Sequence, residues 1–203
     1  MTDLHQQLLA HVPVEAQRAI VRAFKMAYSM SEEICNREFD ERQRVQSWGY
    51  VRWLKIDSEL LKVGERFGRV EHFPCNTENT HIGHTELHFG PFILTATRIQ
   101  DRGRVPSHAA WRERLATLNE TSLFECMRGI EPTNSGQIWA PLLHVPNVHD
   151  RTLKGLYVGF LTSENRYACE HFDLLAHVDQ MKEPSRVEMK PSRPLIKLKD
   201  GTA

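Results

Sequence analysis

His84, Glu86 and His88 stand two residues apart, directly before the dipeptide Gly90-Pro91. Two imidazoles and a carboxylate are suitable donors for a divalent metal such as zinc, manganese or iron. On a strand, alternate side chains leave from one face and can converge on one ion, whereas a helix would splay the same residues apart. His144, in a later apolar run, is a candidate fourth ligand, and His81 lies just upstream. A metal-bound water that titrates near neutrality is a nucleophile for ester, amide or phosphoester hydrolysis. In that reading Glu86 is alternatively the base, and Arg102 or Arg104 neutralises an anionic substrate. Against it stands the plainer view that His and Glu on a strand's polar face are simply solvated, since eleven histidines make chance pairings easy. The spacing is also not the H-E-x-x-H signature of helical zinc sites.

A second group is cationic. Arg98, Arg102, Arg104 and Arg112, with Arg114, surround the loop and helix start that follow. Guanidinium forks beside the backbone N–H groups of a helix start make an anion site, and Ser107 marks such a start. The alternative is a solvated charged loop with surface pairs to Glu113 and Glu120. Other chemistries lack their motifs: there is no G-x-S-x-G elbow, no G-x-x-x-x-G-K-[ST] loop and no G-x-G-x-x-G turn. Cys169 and His171 are close in sequence only, which carries little information about a nucleophile.

These groups must be positioned by elements that the apolar pattern predicts. A two-residue turn at 90–91 pairs Phe89 with Phe92, Leu87 with Leu94 and Thr85 with Ala96. One face then carries Leu87, Phe89, Phe92 and Leu94 as core; the other carries His84, Glu86, His88, Ile93, Thr95 and Thr97, as solvent-facing surface or a shallow site. Upstream, Pro13 opens a helix with Ile20, Phe24, Ala27 and Ile34 on its buried stripe. A second helical stretch resumes with Tyr50, Trp53, Leu54 and Leu61 and ends at Gly64, with a hinge expected near 47–49. A strand is expected over 69–73, a polar loop over 76–80, and a helix from Ser107 to Asn119 that buries Ala110, Trp111, Leu115 and Leu118. Apolar runs over 138–145 and 156–162 predict another strand pair, with Pro141 and Pro146 favouring an edge position for the first. Residues 171–181 predict a last helix.

The implied fold class is α+β, an N-terminal helical arm or hairpin followed by a mostly antiparallel sheet covered on one side by one or two helices. The helical region spans 1–66, the sheet region of the same domain 67–181, and a flexible basic, proline-containing tail 182–203. In 203 residues, 40% apolar composition suffices for a core without staples. Lys plus Arg (26) equal Asp plus Glu (26) and the pI is near 7.2, so no global field attracts nucleic acid, which is not favoured as a partner. Cys35, Cys75, Cys126 and Cys169 form no C-x-x-C pair and are expected as free thiols. No secretory leader pattern and no long apolar run is present, so no membrane partner and a cytoplasmic location are expected.

Tyr28, Phe39, Trp48 and Trp53 give the charge-dense helical part the composition of an interface. The functional expectation is therefore an intracellular binding or regulatory module that recognises another macromolecule through this arm, a protein partner or a second copy. The alternative is the divalent-metal hydrolase centred on His84, Glu86 and His88.

Overall fold

The computed structural model describes residues 3–77, 80–127 and 136–181; within them, the side chains of 72–83 and 120–135 are left aside. The 182–203 tail and the side chains of His81, Cys75 and Cys126 therefore lie outside the described residues. The chain begins with three helices, α1 (Asp3–His11), α2 (Val14–Glu38) and α3 (Glu41–Phe67). There follow strands β1 (Arg69–Thr77), β2 (Thr80–Phe89) and β3 (Phe92–Arg98), helix α4 (Ala110–Met127), strands β4 (Ile138–Trp139), β5 (Leu142–Pro146), β6 (Leu153–Val158) and β7 (Phe172–Asp173), and helix α5 (Leu174–Gln180). The fold is α+β, with a mostly antiparallel sheet in the order β1-β2-β3-β5-β6-β7.

α2 forms because Ala16, Ile20, Phe24, Ala27, Ser31 and Cys35 recur at helical spacing and are all buried; Ile34 is only half-buried. The hinge lies at Phe39 and Asp40, eight residues before the expected place. Asp40 caps α3: its Oδ1 accepts from Gln43 N at 2.9 Å, while Asp40 N donates to Gln43 Oε1 at 3.3 Å. This reciprocal box satisfies two end donors and starts the helix inside the charged run. α3 then passes through Gly64 and is capped by Gly68. Gly64 is needed as a packing surface, since a Cβ there would strike Val70 and Leu87. The buried face of α3 carries Arg52, Ile56, Asp57, Leu60 and Val63, while Tyr50 and Leu54 are exposed. The apolar spacing alone thus picks the wrong stripe of this helix.

The 90–91 turn is borne out, with Phe89 opposite Phe92 and Leu87 opposite Leu94. Gly90 has φ 56, a value that favours glycine. Leu87, Phe89, Phe92 and Leu94 join Leu142, Leu156 and Val158 against α2 and α3 in the main core. Each such fully buried side chain is worth about 1.5–3 kcal/mol in transfer terms.

The other face is covered too. α4 begins at Ala110 rather than Ser107, and its Leu115 and Ala116 pack on Ile93, Trp139 and Leu161, so this face is not open to solvent. β3 holds β2 on one edge; on the other it pairs in parallel with β4 at Phe92 and Ile93 and with β5 at Ala96 to Arg98. β5 is consequently interior, not an edge strand. Its prolines are tolerated by position: Pro141 falls between β4 and β5, and Pro146 ends β5 where the register shifts.

Candidate functional site

β2 sends His84, Glu86 and His88 toward α4, because Glu86 lies opposite Thr95 and His88 opposite Ile93. His84 Nε2 donates to Glu86 Oε1 at 2.8 Å, and His88 Nε2 stands 3.7 Å from Oε2, within reach of charge but not of a hydrogen bond. Glu86 is 3% exposed. Burial opposes its charge, but the bond from His84 and the nearness of His88 outweigh it and hold the carboxyl at about 2. From α4, Trp111 stacks on His84 with ring centroids 4.3 Å apart, and Arg114 Nη2 approaches Glu86 Oε1 at 3.7 Å. The three expected residues are together, under a lid of tryptophan.

Their mutual contacts matter for chemistry. The His84 nitrogen and the Glu86 oxygen that would both face a metal face each other instead. Among the described residues, no three His, Cys, Asp or Glu side chains are arranged to hold an ion. What remains is an ionised carboxylate that orients the His84 imidazole and lies near that of His88, inside a covered layer. Metal analysis of protein prepared in metal-depleted buffer should accordingly find well under one zinc or manganese per chain. Stoichiometric metal that disappears in both His84→Ala and His88→Ala would restore the metal-centre reading.

His144 does not join them. β5 pairs Arg98 with His144 and Thr97 with Leu143, so His144 projects from the opposite face, toward α2. There it is 5% exposed, and burial first, then Arg52 and Arg98, hold its pKa well below the ordinary value. Burial pushes the Tyr28 hydroxyl up, so it keeps its proton and donates to the neutral His144 Nδ1 at 2.7 Å.

The arginines are likewise divided between sites. Arg98 lies on the His144 side, whereas Arg102 is over Tyr157, 5.6 Å from its ring centroid, on the other face. Arg104 offers its carbonyl to Tyr167 Oη at 2.8 Å, and Arg112 is folded back onto the Ser107 carbonyl and hydroxyl. Glu113 pairs with His108 rather than with an arginine. No single cradle unites Arg98, Arg102, Arg104 and Arg112.

Two residues of consequence escape sequence reading. Asn119 is wholly buried; its Nδ2 donates to the carbonyls of Trp139 (2.9 Å) and Leu161 (2.7 Å), and its Oδ1 accepts from Trp139 N (2.6 Å). Arg52 is 2% exposed and stacks on Trp48 at 4.2 Å and near Tyr28 at 5.1 Å. Its spacing of four from Trp48 was the only available signal. Compared with protein-family models, curated proteins and solved structures, the chain finds no match. No helix among the described residues is long and apolar enough to cross a membrane.

Proposed function

We propose that this chain is a binding or regulatory module that recognises another protein, a second copy of itself in the first instance, through the outer face of α3. The observation that carries this is an uncovered apolar stripe: Val45 is 71% exposed, Tyr50 55% and Leu54 42%, with Trp53 half-buried among them. Tyr50 and Trp53 already pack together, ring centroids 6.1 Å apart. Nothing stands within 4 Å of where a Gly49 Cβ would be, so a facing helix can approach the α3 backbone there. Large aromatics beside a small residue suit a helix-on-helix contact, and exposed Glu41 and Arg42 supply a charged edge.

Catalysis finds less support in the geometry. Glu86 and His84 are covered by Trp111, and a substrate would have to displace α4 to reach them. The solution mass tests the reading. At about 100 µM, light scattering should give twice the 23.5 kDa chain mass, and Tyr50→Glu with Leu54→Glu should return it to one chain. A wild-type mass of one chain at that concentration overturns recognition of a second copy.

A further inference from the structure

Arg44, Trp48 and Arg52 follow at four-residue spacing and share one face of α3. Arg52 Nε and Nη1, Trp48 Nε1 and Arg44 Nε are all buried and find no hydrogen-bond partner among the described residues, although Arg44 is also engaged through Nη1 with Asn36 Oδ1 at 3.1 Å. Each is a donor, so what the described residues do not supply is an acceptor. Around Arg52 the charged neighbour is a second arginine, Arg98, and burial leads in pushing its pKa down. A buried cation without a counter-charge is among the costliest features a fold can carry.

The surroundings add to the positive field. The Arg151 guanidinium lies 5.8 Å from the Trp48 ring centroid, and Arg151 itself has φ 58, a left-handed conformation unfavourable for an L side chain. Arg151 and Tyr28 also line a cleft of about 290 Å³, together with Lys25, Ser29, Glu32 and Thr152. Glu32 is the one carboxylate among the lining residues, and Lys25 there is already paired with Asp179 at 3.2 Å, which leaves Arg151 in the cleft and Arg52 and Arg98 beside it. A neutral acceptor would satisfy the N–H groups and leave the charge. A phosphate brings nearly two negative charges and oxygens on several sides.

We propose that the Arg44, Trp48 and Arg52 face of α3, with Arg151 and the cleft at Tyr28, binds a phosphate group, either as the free ion or carried by a small molecule. The site lies on the inner side of α3 and is independent of the Tyr50 and Leu54 surface.

The test titrates inorganic phosphate into the full chain at constant ionic strength, with chloride and acetate as matched controls. The readouts are tryptophan fluorescence and melting temperature. Phosphate should give a saturable fluorescence change and a melting temperature that climbs with concentration, since it binds only the folded state. Chloride and acetate should give neither. Arg52→Met should raise the phosphate midpoint about tenfold or more, and Arg151→Ala about threefold or more. In phosphate-free buffer Arg52→Met should melt no lower than the wild type, because it removes an unpaired buried charge. Glycerol phosphate distinguishes the two sources: a midpoint well below that of inorganic phosphate assigns a small-molecule carrier, and an equal one assigns the free ion. The proposal is overturned by a flat phosphate titration, by acetate equalling phosphate, or by an unchanged midpoint in Arg52→Met. It is equally overturned if Arg52→Met melts several degrees low without phosphate, which would show that the guanidinium already has its partner within the chain.

Discussion

Asn119→Leu should cost about 3–6 kcal/mol of folding stability, because it strands three buried backbone groups at once. The amide of Asn119 ties α4 to Trp139 on β4 and to the carbonyl of Leu161, and leucine is nearly its shape but offers no polar atom. A domain of this size has roughly 5–15 kcal/mol in total, so the loss is a large share of it. Urea denaturation should show the midpoint falling at constant slope. Leu118→Ala, at the neighbouring exposed position, should change stability by only about 0.5 kcal/mol. A loss under about 1 kcal/mol for Asn119→Leu would mean that α4 is not held this way. The same variant loosens the cover over Glu86, since α4 is the helix that brings Trp111 onto His84.

Acid should unfold the protein in two successive windows. His5 is 2% exposed between the rings of Phe160 and Phe172, and burial lowers its pKa to about 4. With a depressed histidine pKa the unfolded chain takes the proton first, so stability falls as pH drops from about 6.5 to 4 and is flat above. His144, lowered by burial and by Arg52 and Arg98, acts in the same direction. Glu86, whose carboxyl is held at about 2, contributes stability that is fully present above about 4.5 and is lost as pH falls toward 2. At 1.36 kcal/mol per pKa unit, His5 and Glu86 are each worth roughly 3 kcal/mol. Denaturation midpoints should therefore be level from pH 7 to about 6.5 and fall from there to pH 3. His5→Leu should remove its own share of the upper window and leave that of His144, and Glu86→Gln should flatten the lower one. A stability that stays level from pH 6.5 to 4 in the wild type would refute the placement of His5 and His144.

The hairpin and its ligand-like face were legible because Gly90-Pro91 fixes a turn and a period of two leaves only one partition of the side chains. The depth of that face was not legible. His84, Glu86 and Thr95 look solvent-facing on the strand, and only the packing of Trp111 and Leu115 from a separate helix buries them. His144 could not be assigned a face either: its parity relative to Glu86 is set by the parallel match of Ala96 with Leu142, which leaves no local mark. In α3, charge on every side hides which residues point inward, so the apolar spacing selects Tyr50 and Leu54, which are exposed, and passes over the buried Arg52. The hinge at Phe39 and Asp40 is hidden for a related reason, since Asp40 and Gln43 merge into a charged run, though together they make a capping box.

The crossover through α4 also governs the order of assembly. α2 and α3 meet across a two-residue link, and β1, β2 and β3 follow as antiparallel neighbours, so their contacts close short loops. β3 gains neighbours on its second edge only when residues 92 and 93 reach 138 and 139 and residues 96–98 reach 142–144. Closing that long loop sacrifices entropy before any pairing rewards it, which makes this the slow event of refolding. Until then β3 is a bare edge with unpaired backbone groups, and concentrated refolding mixtures will aggregate through it.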